Sequence, residues 1–420
     1  MHGRFGARFV CCARQGALTT ENAMPRSWDI FCAVVDNFGD IGVCWRLARQ
    51  LAGEQGAAVR LWVDNLASFQ TLCPELDCRL SVQTLRGVEI RHWSSPFSMA
   101  VPNVPDVPMM PGEVVVEGFG CRLPESFLAA MVARTPQPVW INLEYLSAED
   151  WVESHHGLAS PHPQLPLVKY FFFPGFTERS GGLLAEQGLA QRREAFQRDA
   201  AAITAFRASI GVAPAAQGTL LTSLFCYEDA ALPELLDTWI SGGAAIECLV
   251  PAGATLQRVA SHLGLTLHGS KSRPGEAWHK GKLRLQPIPF LDQDGYDRLL
   301  WASDINFVRG EDSFVRAQHA ARLLVWQAYP QDARVHLVKL EAFMDRYCQG
   351  MDSALAAPLR QFCTAWNQPA EGKPDWAGLW QSVLSAKPAW QASAQAWAAA
   401  LGTAPTLVDN LALFCQSKLK

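Results

Sequence analysis

Short apolar runs rich in β-branched and aromatic residues recur along the chain from Trp28, separated by stretches with helical spacing. Six runs fall in the first half, at 29–35 (DIFCAVV), 59–64 (VRLWVD), 88–93 (VEIRHW), 113–119 (EVVVEGF), 138–146 (PVWINLEYL) and 167–173 (LVKYFFF). Between them Val43, Leu47 and Leu51 lie four residues apart, and Phe127, Ala130 and Met131 follow a helical period. Continuous apolar strands alternating with helices predict a parallel sheet covered on both faces.

A charged, helix-like stretch over about 183–211 leads into GVAPAAQG (211–218), whose Gly and Pro suit a linker. A second alternation follows, with strands at 219–225, 245–250, 283–288, 304–308 and 323–327 and helices around 231–240, 254–263, 295–301 and from 312. From 334 the tail reads as helical and carries Trp366, Trp376, Trp380, Trp390 and Trp397. With little charge around them, these indoles suit anchors for packed helices better than a nucleic-acid platform.

The 420 residues leave room for two or three domains, and 49% hydrophobic against 18% charged residues argues for a folded globular chain. Thirty-six Lys and Arg against 40 Asp and Glu, a net charge of −4, argue against a general nucleic-acid or membrane-surface binder. No apolar run reaches the roughly 18 residues of a bilayer span, so no membrane segment is expected. Ten of the 12 cysteines lie singly, as Cys32, Cys248 and Cys415 do in apolar runs, without a CxxC pair. They predict reduced core residues in a cytoplasmic protein. Residues 1–23 hold Arg4, Arg8 and Arg14 with FVCC as their one short apolar run, too little for a secretory signal. Because Met24 leads straight into a strand, we expect 1–23 to be an extension outside the fold, disordered or an over-called start.

The turn after the first strand, DNFGDIG (36–42), faces the cleft of a doubly wound sheet. Gly39 and Gly42 permit close backbone approach, and Asp36 and Asp40 place two carboxylates there. The spacing lacks GxGxxG, so hydride transfer loses support. Asp40 would also satisfy free N–H groups in the first helical turn, but two acids with two glycines favour a site.

A second signal, INFVRGEDSFVRAQ (305–318), ends a strand at Arg309–Gly310 and opens a helix with Glu311, Asp312 and Ser313. Ser313, the first helical N–H groups and the Arg309 fork would make a diphosphate cradle. Glu311 would repel phosphate and suits sugar hydroxyls or support of Arg309, while Asp312 equally fits ordinary helix-start chemistry. Phe225, Tyr227, Phe290, Gln293 and Tyr296 offer aromatic and polar contacts to a nucleotide, although each Phe taken singly also suits a core. Asp292 and Asp294 spell DxD, where turn or cap use is expected, and His155, His156 and His162 lack metal-ligand spacing; no metal site is expected.

Four motifs in one order, DNFGDIGVCWRLARQL, EYLSAEDWVESHHGLASPHP, KYFFFPGFTERSGGLL and FVRGEDSFVRAQ, resemble the EarP family, the arginine rhamnosyltransferases that mature bacterial elongation factor P. The resemblance implies an α/β fold of GT-B type: two facing Rossmann-like lobes with parallel sheets, over 24–205 and 206–385, and a helical segment over 386–420 that crosses back to the first lobe. It implies TDP-β-L-rhamnose as donor on the second lobe, an elongation factor P arginine as acceptor, and inversion without metal or cofactor. Activated in this way, elongation factor P would rescue ribosomes stalled at polyproline.

By motif position Asp40 is the expected general base, with Asp36 and Glu311 beside it. Arg309, Asp312, Ser313, Phe225, Tyr227, Phe290, Gln293 and Tyr296 would bind the donor, and Asn37, Phe38 and Gly39 would form the acceptor loop. Glu117, at a strand end, would either help bind the acceptor or support its own loop. Two alternatives stand beside this: a GT-B transferase with another nucleotide sugar or acceptor, and a nonenzymatic nucleotide-binding partner of translation.

Overall fold

The computed structural model describes residues 24–36, 38–94, 97–101, 104–266, 277–331, 334–368 and 374–419. The expectation for 1–23 lies outside these residues, as does that for Asn37. The first half forms β1 (Ser27–Cys32), β2 (Ala58–Val63), β3 (Val82–Leu85), β4 (Val88–His92), the pair β5 (Ala100–Val101) and β6 (Val104–Pro108), then β7 (Val114–Gly118), β8 (Val139–Leu143), β9 (Ala159–Pro161) and β10 (Val168–Phe172). Eight of these make one sheet in the order β3-β4-β2-β1-β7-β8-β10-β9. Its centre is parallel, as the apolar runs require, and every residue of β7 and β8 is buried.

Two departures from the sequence reading have plain causes. The edge strands β3 and β9 pair antiparallel and contain no fully buried residue, so neither shows a continuous apolar run. The run 138–146 stops as a strand at Leu143, and Glu144, Tyr145 and Leu146 leave the sheet.

The second sheet contains β11 (Leu220–Leu224), β12 (Ile246–Pro251), β13 (Trp278–Lys280), β14 (Leu283–Ile288), β15 (Ile305–Arg309) and β16 (Leu323–Gln327), in the order β13-β14-β12-β11-β15-β16. It too is parallel except at one exposed edge, β13.

Helices α1 (Gly39–Glu54), α2 (Leu66–Leu72), α3 (Glu125–Ala133) and α4 (Val152–His155) follow strands of the first sheet. The expected helix over 183–211 is two, α5 (Leu189–Arg198) and α6 (Ala200–Ser209). Asp199 breaks it, ending α5 and accepting the Ala201 and Ala202 N–H groups of α6 at 2.9 and 3.0 Å. The second sheet carries α7 (Leu232–Ser241), α8 (Ala254–Leu263), α9 (Gln293–Ala302) and α10 (Asp312–His319), and the tail forms α11 (Val335–Tyr347), α12 (Ser353–Asn367), α13 (Trp376–Thr403) and α14 (Leu407–Lys418).

The tail corrects one expectation. The stretch Trp376–Lys418 is long and apolar enough to cross a bilayer by length and composition. Lys387 is the only charged side chain in α13, so apolar character accumulates without any continuous run to announce it. Here Trp376, Trp380, Val383 and Trp390 pack into the core of the second lobe. The chain then crosses over, and Leu407, Val408, Leu411, Ala412 and Cys415 of α14 complete the core of the first lobe.

In each sheet the strand order reverses beside the first strand, between β1 and β7 and between β11 and β15. Ligands of doubly wound sheets sit in the crevice at that reversal, outside the carboxyl ends of the strands. The two reversals face each other, which is the GT-B arrangement, and the motifs singled out in the sequence follow β1, β11 and β15.

Candidate active site

After β1 the chain turns tightly, with the Gly39 N–H donating to the Asp36 carbonyl at 2.6 Å, and α1 begins with no side chain capping it. Asp40 lies in its first turn and is only 1% exposed. Its Oδ2 accepts the Val35 and Asp36 N–H groups, both at 2.8 Å, so it braces the preceding turn instead of capping its own helix. Its Oδ1 accepts the Tyr145 hydroxyl at 3.0 Å. Asp36 reaches across the cleft, where its Oδ2 accepts the Tyr227 hydroxyl at 2.6 Å. Burial raises the pKa of Asp36, as does Asp40, against the opposing effects of Tyr227 and Arg309.

Gly310 makes that crossing possible. Its φ is +60°, and a Cβ there would lie 2.5 Å from the Tyr227 hydroxyl and 3.0 Å from Asp36 Oδ2. The next residue, Glu311, accepts the Leu146 N–H at 2.9 Å through Oε1. Burial pushes its pKa up to about 8, with the carboxylates of Asp40 and Asp312 adding to the rise and the Leu146 N–H and Lys339 opposing it.

Arg309 stacks over the rings of Phe225, at 4.2 Å, and Tyr227, at 4.4 Å. The two aromatics thus grip the guanidinium. The Ser313 hydroxyl turns back on the strand end, accepting the Arg309 N–H at 3.1 Å and donating to the Arg309 carbonyl.

The polar residues of the expected donor cradle also tie the lobes together. Arg46 of α1, fully buried, pairs with Asp312 at 2.7 Å and with Asp297 and Glu186 at 3.1 Å each. Gln293 donates to the Gly42 carbonyl at 2.8 Å and accepts from Arg49 at 3.0 Å. Phe38 meets Phe290 at 4.9 Å between centroids, and Tyr296 stands edge-on to Phe225 at 6.2 Å. Of the DxD pair, Asp292 caps α9 through the Gly295 N–H and Asp294 pairs with Arg49 and Arg86.

One cavity collects most of the sequence-predicted residues: Asp36, Phe38, Gly39, Phe225, Tyr227, Phe290, Gln293, Tyr296, Arg309, Glu311, Asp312 and Ser313 all line it. A neighbouring cavity, lined by Tyr145, Leu146, Trp326, Tyr329 and Lys339, shares Asp36 and Glu311 with the first. Asp40 stands behind both, reached through Tyr145. Glu117 lines neither cavity. It is 2% exposed and holds the Arg122 N–H at 3.0 Å and Lys169 at 3.1 Å, in support of its own loop.

Sequence reasoning missed Tyr145, Arg46, Arg49 and Lys339. Tyr145 carried a usable signal, since EYLSAED directly follows an apolar strand and therefore sits at a carboxyl end.

A family model described as "Elongation-Factor P (EF-P) rhamnosyltransferase EarP" matches residues 28–416. The chain belongs to the EarP family. Two similar members are protein-arginine rhamnosyltransferases. The one from Pseudomonas aeruginosa is 48% identical over 388 residues, 92% of this chain and 98% of the relative. The one from Pseudomonas putida is 44% identical over 396 residues, 94% and 100% of the two chains. A solved structure described as "Structural basis for EarP-mediated arginine glycosylation of translation elongation factor EF-P" superposes with a TM-score of 0.63 at 32% identity, covering 94% of this chain and 99% of that one. Membership of the EarP family makes the chain an enzyme, a protein-arginine rhamnosyltransferase.

Proposed function

We propose that the protein moves L-rhamnose from TDP-β-L-rhamnose to an arginine side chain of elongation factor P, inverting the anomeric carbon. The observation that carries this reading is that Asp36 of one lobe shares a cleft with Arg309 and Glu311 of the other, with Asp40 directly behind it through Tyr145, in a chain of the EarP family.

A guanidinium has a pKa above about 12, so a carboxylate does not deprotonate it in the ground state. Asp40, with Asp36 beside it, pairs with the acceptor arginine and aims one nitrogen at the anomeric carbon. As the N–C bond forms and the bond from that carbon to the TDP oxygen breaks, the proton on the attacking nitrogen passes to Asp40. The charge left on TDP is met by Arg309 and by the uncapped N–H groups that open α10, so this reading calls for no metal or other cofactor. With a pKa of about 8, Glu311 is largely protonated near neutral pH and can donate to a sugar or phosphate oxygen without repelling it. Phe225, Tyr227, Phe290, Gln293, Tyr296, Asp312 and Ser313 complete the donor side in this reading, and Phe38 and Gly39 the acceptor side. A translation-factor acceptor, together with ten free cysteines among the described residues, fits the cytoplasm.

Intact-mass measurement of elongation factor P after incubation with the protein and TDP-rhamnose tests the reading. A single deoxyhexose increment is expected, with calorimetry showing tighter binding of TDP- than UDP-sugars. An unmodified acceptor with TDP-rhamnose overturns it.

A further inference from the structure

We infer that Tyr145 is a positioning residue of the transfer reaction, fixing Asp40 for the acceptor nitrogen, and that its loop couples this carboxylate to Glu311 of the opposite lobe. The inference rests on the arginine-transfer reading above. Tyr145 lies just past the end of β8, and its hydroxyl donates to Asp40 Oδ1 at 3.0 Å. The two N–H groups on Oδ2 fix the other side of the same carboxylate, so three donors set its plane and leave one lone-pair position on Oδ1 for a guanidinium. The adjacent Leu146 N–H donates to Glu311 Oε1 at 2.9 Å. Two consecutive residues of one loop therefore hold one carboxylate from each lobe.

The loop is propped from behind. The Tyr145 ring stacks on Phe119, with centroids 4.4 Å apart and planes 17° from parallel. Phe119 has a φ of +56°, a left-handed conformation unfavourable for a bulky side chain, and is held there by its N–H bond to the Leu143 carbonyl at 2.8 Å. Core filling does not account for this support, because Tyr145 is 39% exposed. Burial and the charges of Asp40, Glu311 and Asp36 push the phenol's pKa up, so it remains an O–H donor. The titratable groups facing Asp40 are Asp36 from its own turn, Cys32 from β1, Tyr145 from the loop and Glu311 from the second lobe.

Tyr145→Phe keeps the ring and its stack and removes only the hydroxyl. The test measures, beside the wild type, TDP affinity, thermal midpoint, and kcat and KM separately for rhamnosylation of elongation factor P. The expected result is TDP affinity, thermal midpoint and the KM for elongation factor P close to those of the wild type, with kcat lower by about tenfold. Phe119→Leu, which removes the stack, should lower kcat in the same direction. An unchanged kcat in Tyr145→Phe overturns the inference, as does a loss of turnover accompanied by comparable losses of TDP affinity and thermal midpoint. If the wild type itself leaves elongation factor P unmodified, the transfer reading fails and this inference falls with it.

Discussion

Glu311 stands where an ionised carboxylate is hard to keep, desolvated and near the carboxylates of Asp40 and Asp312. Its pKa, raised from the usual 4.5 to about 8, means that the folded protein binds this proton more tightly than the unfolded chain. The associated stabilisation is complete below about pH 4.5 and is lost as pH rises through 8. Glu311→Gln, a permanent neutral mimic, should therefore gain on the wild type in thermal midpoint from about pH 4.5 to 8 and then hold a constant lead. Paired melting curves across pH measure this, and a lead that does not grow with pH contradicts it. Sequence reasoning set Glu311 apart from phosphate on grounds of charge, and protonation removes the objection. Asp36, Asp40, Arg309 and Glu311 were legible because each follows a strand end, a position the chain itself displays. Tyr145 shares that kind of position, but its role, like that of Arg46, depends on a partner far away along the chain, 105 and 266 residues respectively.

At the scale of elements, the parallel strands could be read directly because burial on both faces leaves an unbroken apolar run, whereas β3, β9 and β13 are edges without a fully buried residue and have no such signature. The crossing after β15 depends on a backbone requirement that the sequence shows only as one glycine in RGEDS. Gly310→Ala introduces a strained left-handed residue and a Cβ that collides with the Tyr227 hydroxyl. The change should cost about 1–3 kcal/mol of stability and, by parting Tyr227 from Asp36, weaken TDP binding about tenfold or more. Calorimetric titration with TDP checks it, and wild-type affinity in this variant would show that the contact between Asp36 and Tyr227 does not shape the donor cavity.

At the scale of the molecule, the lobes are joined by charge as well as by the returning α14. Arg46 and Arg316, both buried, share Asp297 and Glu186, and Arg46 adds Asp312 from the donor side. Removing one member of such a cluster strands its partners without water, a loss of about 3–5 kcal/mol. Arg46→Met should lower the thermal midpoint and, through the freed Asp312 and Gln293, weaken TDP binding. Scanning calorimetry and titration test this, and a variant as stable and as tight-binding as the wild type contradicts it.

The proposed transfer depends on a carboxylate of one lobe accepting a proton while the other lobe holds the sugar donor. Asp40→Asn tests this most directly when rhamnosylation of elongation factor P and TDP affinity are measured on the same preparation. The expected result is no detectable deoxyhexose transfer with TDP bound nearly as tightly as by the wild type, and full turnover by Asp40→Asn would contradict a proton-accepting role for Asp40.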